Sequence, residues 1–195
     1  MNIWIILTLL LSLISPIFYT RSMLAKKAQP HRVTRLVILL ASVAGVLGII
    51  GSDNLSGIIF AGIFLARALY LFVMSLIYGV GGSTPLDRTC LVVSSVAILG
   101  YVFTGNGLLA ISLGILADLI GYIPTFVKTW KKPKSEDPTF FAIEGLAALT
   151  AMIAISEMRV DILFPIYFFL CCVVMVMLIY RPKLLKQKST LDNLN

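Results

Sequence analysis

Apolar runs of membrane length, separated by turns too short to carry a soluble domain, govern what this chain can fold into. Seven stretches qualify or nearly qualify, at about 2–20, 34–51, 56–79, 89–104, 107–128, 139–156 and 160–180. A hydrocarbon core roughly 30 Å thick is crossed by about 20 predominantly apolar residues in helical form. Several runs are joined only by short turn signals, such as Gly51-Ser52-Asp53-Asn54 and Thr104-Gly105-Asn106-Gly107. The fourth run is the shortest and reads as tilted or incomplete. Of all residues 59% are hydrophobic and 13% charged, more apolar surface than a soluble domain hides. The expected fold class is an all-α integral membrane protein with seven transmembrane helices.

Charge supplies the orientation. The net charge is +7, and the basic residues are sorted by side. Arg21, Lys26, Lys27, Arg32 and Arg35 follow the first run. Lys128, Lys131, Lys132 and Lys134 end or follow the fifth, and Arg181, Lys183, Lys186 and Lys188 follow the seventh. The opposite side offers only Arg159. Positive residues favour the cytoplasmic face, so the expected topology has the N-terminus outside and the C-terminus cytoplasmic, in the plasma (inner) membrane. That result needs an odd number of crossings. The first run has no basic residue before it and no small-x-small cleavage site, and it reads as a retained helix rather than a secretory signal. A pI near 9.5 also fits a nucleic-acid partner, but the sorting of charge is explained by topology, so no nucleic acid is expected. The lipid bilayer is the expected partner, its anionic headgroups within reach of the basic loops. Cys90, Cys171 and Cys172 lack metal-ligand spacing and read as small packed hydrophobes.

An internal repeat organises the runs. Ser15-Pro16-Ile17-Phe18 leads through a basic loop to Gln29-Pro30, and Ile123-Pro124-Thr125-Phe126 leads through another to Asp137-Pro138. The two proline pairs have equal spacing, with Phe18 matching Phe126 and Lys26 matching Lys134. Weaker echoes join Ser52-Asp53 to Ser156-Glu157 and Leu76-Ile77-Tyr78 to Leu178-Ile179-Tyr180. A repeat relating the first helix to the fifth divides seven helices as two parallel three-helix repeats plus a linking helix (3+1+3), related by an axis along the membrane normal. The expected boundaries are 1–80 for the first bundle, 81–106 for the linking helix, 107–181 for the second bundle and 182–195 for a basic cytoplasmic tail.

In this organisation the chain resembles the SWEET and PQ-loop transporters, whose mark is a proline, usually followed by glutamine, near the cytoplasmic end of the first helix of each bundle. Pro16 and Pro124 occupy those places, but Ile17 and Thr125 stand where the glutamines would be. The nicotinamide riboside vitamin transporters have a similar arrangement. The resemblance implies alternating access by two bundles, and it leaves the solute open, because the Asn and Trp pairs of sugar-carrying members have no secure counterparts. Independently of family, a proline within a helix removes a backbone donor and kinks the helix. Each proline thus reads either as a hinge of an inner gate or as a static bend.

Ionisable residues at membrane depth point to the chemistry. Arg67 lies near the middle of the third run, Asp118 near the middle of the fifth, and Glu144 about one turn into the sixth. A central Arg or Asp costs roughly 2.5–3.5 kcal/mol on insertion scales, so neither should face lipid. Gly107, Gly114, Asp118, Gly121 and Thr125 share one helical face, which reads as a packing seam or as a cavity wall bearing one carboxylate. Thr8, Ser12, Ser15 and Tyr19 form a polar stripe on the first helix, and Arg67, Tyr70, Met74 and Tyr78 share a face of the third. Arg67 and Asp118 are expected to form an ion pair, or to bind solute at Arg67 with Asp118 as counter-ion or proton site. The expected solute or proton site is Arg67, Asp118, Tyr70 and Thr125, and the expected hinge or gate is Pro16, Pro124 and Glu144. Glu144, within reach of water or a loop lysine, is expected to form a snorkelling or gate-side ion pair. Gly45, Gly48 and Gly51 are expected to form a close-contact seam.

His31 is the only histidine, and no nucleophile elbow, HExxH or phosphate-binding glycine loop occurs. An intramembrane enzyme would have to rest on Asp118 and Glu144, which the sequence sets at different depths. The expectation is therefore a non-enzymatic secondary transporter or facilitator of a small polar solute, without cofactor or metal, working passively or coupled to protons through Asp118. A scaffold or accessory subunit of the same fold is the alternative, favoured by the missing glutamines. Assembly into a homo-oligomer is left open.

Overall fold

In the computed structural model, residues 3–49, 55–104, 107–154 and 162–192 are described. Among them the chain is all-helical: α1 (Ile3–Leu24), α2 (Arg32–Ile49), α3 (Leu55–Tyr78), α4 (Pro85–Phe103), α5 (Gly107–Lys131), a 3-10 turn at Pro133–Ser135, α6 (Pro138–Ala154) and α7 (Leu163–Asp192). Among the described residues, three helical segments are long and apolar enough to cross a membrane: α1, Ala61–Tyr78 of α3 and Leu163–Pro182 of α7. α6 is apolar but shorter. The turns at 51–54 and 105–106, and Ser156, Glu157 and Arg159, lie outside the described residues.

The sorting of side chains is the reverse of a water-soluble protein's. α1 buries Thr8, Ser12, Ser15 and Tyr19 and exposes Leu10, Leu13, Ile14 and Ile17. α3 exposes Leu69, Val73, Leu76 and Ile77, and α7 exposes Leu170, Val174 and Met177. A soluble monomer rarely presents contiguous apolar surface on this scale. The polar stripe of α1 therefore marks its inward face.

The packing is built from a few helix pairs. α3 lies against both α1 and α2, and α7 against both α5 and α6. α1 also packs on α6, and α2 on α5. α4 packs on α5 and α2, so it is more than a connector. Helix ends gather at one pole. The Gln29 amide donates to the Ser135 carbonyl (2.9 Å), and the Arg32 amide to the Val80 carbonyl (3.0 Å). His31 Nε2 meets Asp87 at 3.3 Å, and Arg181 donates to the Trp130 carbonyl at 3.2 Å. The basic loops after α1 and α5 and the Arg181 end of α7 thus share this pole. α7 itself continues through Pro182 to Asp192.

Local chemistry sets the ends of the elements. Thr84 and Asp87 form a capping box at the start of α4, with Pro85 in the first turn. The two residues that turn into it, Gly81 and Gly82, have φ of +86° and +105°, a region glycine enters without steric cost. A Cβ on Gly81 would also lie 2.1 Å from His31 Nε2, so the turn admits only glycine beside that imidazole. Burial pushes His31 below its ordinary value, outweighing the upward pull of Asp87. Burial would raise Asp87, which lies before the apolar run of α4, but donors from Gly82 and Thr84 hold it below the usual range.

The matched loops keep their spacing but not their backbone. Lys26, two residues after α1, takes the left-handed region (φ 56°), whereas Lys134 sits in the 3-10 turn. The expected glycine seam on α2 is corrected at Gly45: a Cβ there would meet nothing within 4 Å, so no helix approaches it closely. The surroundings of Gly48 and Gly51 lie outside the described residues. Close approach occurs on α5, where a Cβ on Gly121 would lie 2.6 Å from Val37 Cγ1.

Candidate functional site

Between the helices lies a cavity of about 500 Å³. Its polar wall draws on five helices: Thr8 and Ser12 of α1, Arg35 and Ser42 of α2, Arg67 of α3, Asp118 of α5 and Glu144 of α6. Phe64, Tyr122, Phe140, Phe164 and Phe168 supply much of its apolar surface. A mostly apolar chamber with a few placed polar groups is the usual form of a small-molecule site.

The charged groups are arranged differently from the expected Arg67–Asp118 pair. Arg67 Nη2 pairs with Glu144 Oε1, side chains 12% and 2% exposed. Ser15 Oγ donates to the same carboxylate oxygen. Glu144 is buried and its ion pair is with Arg67 rather than with a loop lysine; Ser15 of α1 meets it from the helix that packs on α6. Arg67 Nε has no hydrogen-bond partner among the described residues. Asp118 accepts instead from the Tyr167 hydroxyl at 3.2 Å. Asp118 and Glu144, expected at different depths, line one chamber.

Arg35 is the residue that sequence reasoning missed. Counted there among the loop charges, it lies in the first turn of α2, is 6% exposed and lines the cavity. Its guanidinium sits 4.9 Å from the Tyr19 ring centroid and 5.1 Å from that of Phe140, and those rings stack at 4.3 Å. Cation–π contact of this kind supports a desolvated cation. No carboxylate among the described residues comes within ion-pair distance of it. The available signal was helical spacing, since Arg35, Ile38 and Ser42 recur on one face of α2.

A polar cluster closes the basic pole next to this Arg35 floor. Tyr19 Oη donates to Glu136 Oε2 at 2.5 Å. Lys128 Nζ pairs with Glu136 Oε1 and donates to the Gln29 carbonyl. Tyr19 is 0% and Glu136 4% exposed, so the cluster is a plug rather than a solvated surface. It ties the loop after α1 to the loop after α5, the two copies of the sequence repeat.

The remaining expected site residues lie elsewhere. Tyr70 exchanges a 2.7 Å hydrogen bond with Thr20 and lines a lateral groove with Pro16 and Arg67. Thr125 is buried and donates to Thr34 Oγ1 at 2.8 Å, while Thr34 donates to the Gly121 carbonyl at 2.6 Å. The polar face of α5 is therefore divided: Gly114 and Asp118 line the chamber, and Gly121 and Thr125 form a seam with α2. Pro16 and Pro124 lie inside α1 and α5. Pro16 frees the Ser12 carbonyl, and Ser15 Oγ stands 3.3 Å from it, its single proton shared with Glu144.

Among the described residues, no group of three or more His, Cys, Asp or Glu side chains is placed to hold a metal ion, and the three cysteines are buried and free. Comparison with protein-family models, with curated proteins and with solved structures finds no match.

Proposed function

We propose that this chain is an integral membrane transporter that carries a small polar solute by alternating access, in the manner of the SWEET and PQ-loop arrangement. The observation that carries the reading is a charged chamber of about 500 Å³ inside a molecule whose outer surface is apolar. Charges buried at such depth are costly and mark solute or ion pathways when they face a cavity.

The helix packing supports a two-copy architecture. Exchanging α1 with α5, α2 with α6 and α3 with α7 turns the α1–α6 contact into α2–α5, α1–α3 into α5–α7, and α2–α3 into α6–α7. α4 alone is left over. In this reading all seven helices cross the bilayer, the pole bearing the basic loops is cytoplasmic, and the chamber lies at the interface of the bundles. The Tyr19–Glu136–Lys128 plug then shuts the cytoplasmic side, and release inward requires it to part. Pro16 and Pro124, one in each tied helix, are where the bundles bend.

Reconstitution provides the test. Purified protein in liposomes is screened for uptake of sugars, amino acids and vitamins, with and without a pH gradient. Saturable flux of at least one class is expected, and acceleration by an inward proton gradient assigns Asp118 a coupling role. Absence of flux across the panel by folded protein would overturn the reading and leave a scaffold.

A further inference from the structure

The chamber's charges also limit what it takes. Four side chains of the Arg and Asp/Glu kinds line it, and two of them neutralise each other: Arg67 is paired with Glu144. The other two have no such partner. Among the described residues, Arg35 stacks on Tyr19 and Phe140 with no carboxylate at ion-pair distance, and Asp118 accepts a neutral hydrogen bond from Tyr167 with no cation at ion-pair distance. Both are 6% exposed and line the same space. Burying an ion without a counter-charge is expensive, and the expense is relieved when a ligand supplies that charge.

We infer that the solute is a zwitterion with an apolar body, whose carboxylate meets Arg35 and whose ammonium meets Asp118. A simple anion would satisfy Arg35 and leave its charge facing Asp118. A simple cation would do the reverse. A neutral polyol would offer hydrogen bonds but no compensating charge, and its hydroxyls would meet a wall rich in Phe64, Phe164 and Phe168. A neutral α-amino acid with a large aliphatic side chain satisfies both charges and the apolar wall, and it fits within about 500 Å³. This inference rests on the transport reading for its biological sense, but the binding chemistry stands apart from flux.

The test uses leucine and its two single-charge relatives, 3-methylbutylamine and 4-methylpentanoate, with glucose as a fourth probe. Binding to the detergent-purified full chain is measured by titration calorimetry and by the ligand-induced rise in unfolding midpoint. Leucine is expected to bind roughly tenfold or more tightly than either single-charge relative, as for lost charged hydrogen bonds. Asp118→Asn should weaken leucine while sparing or improving 4-methylpentanoate. Arg35→Gln should weaken leucine while sparing 3-methylbutylamine. A merely structural role would weaken all probes together. Glucose or 4-methylpentanoate binding as tightly as leucine overturns the inference, as does failure of all four to bind folded protein. Should either variant not fold, the ligand series on the unaltered chain decides by itself. Leucine binding without exchange in liposomes would sink transport and keep the zwitterion site; hexose flux without leucine binding would do the opposite.

Discussion

Glu144 shows how much a single side chain decides here. Its carboxylate holds Arg67 and Ser15 in the middle of the helix assembly, so removing its charge strands a buried guanidinium. Glu144→Gln is expected to destabilise the fold by roughly 3–5 kcal/mol, and a second change of Arg67 to Met to restore most of that loss. Reversible unfolding in mixed detergent measures both, and a single variant as stable as the parent contradicts the pair. His31 gives a pH dependence with a definite sign. Its folded value is lowered by burial, so the unfolded chain binds the proton more readily. The contribution is full above about pH 6.5, the unfolded value, and is lost as pH falls through the folded value. Asp87, also lowered, keeps its contribution until pH falls below about 3.9. His31 is the only histidine, so the midpoint of the parent relative to that of His31→Gln should fall between pH 7 and 5. A difference between the two that rises on acidification would refute the assignment. At this scale the sequence exposed Arg67, Asp118 and Glu144, because an ionisable residue within an apolar run stands out. It did not expose their pairing, because depth along a helix says nothing about which neighbour a side chain faces. Arg35 was hidden for a related reason, being a basic residue beside a basic loop.

Among the elements, α5 carries the clearest test of packing. Gly121 lies where a Cβ would press on Val37, a short branched side chain with little room to turn. Gly121→Ala should cost about 1–3 kcal/mol through overpacking, with recovery when Val37 is also changed to Ala. Gly45→Ala on α2 has open space and should be neutral, or stabilising by up to about 1 kcal/mol, from helix propensity. Equal costs at the two glycines, read from unfolding midpoints, would mean that α2 and α5 do not pack as described. Small residues at helical spacing were visible beforehand, but the sequence could not separate seam from cavity wall. One face of α5 turns out to serve as both, since α2 leans on its lower half while the chamber opens beside Asp118. The polar stripe of α1 was more legible. Thr8, Ser12 and Ser15 sit among leucines and isoleucines, and hydroxyls that shun an apolar exterior must face inward. Thr8 accordingly meets Thr150 of α6 at 2.8 Å.

For the whole molecule, the two loops that share a proline spacing in the sequence lie at one pole, and the Gln29–Ser135 hydrogen bond joins them. That they are locked to one another was not legible, because Tyr19, Lys128 and Glu136 belong to three separate segments and meet only after packing. In the proposed transport cycle the chamber delivers solute across a membrane by parting this tie. Gln29 and Ser135, joined by a 2.9 Å backbone hydrogen bond, are close enough to be bridged. In a protein with Cys90, Cys171 and Cys172 changed to Ala, cysteines are placed at these two positions and solute flux is followed in liposomes before oxidation, after oxidation and after reduction. Flux is expected to stop when the bridge forms and to return when it is reduced. Flux undiminished in fully bridged protein would contradict transport by parting of this tie.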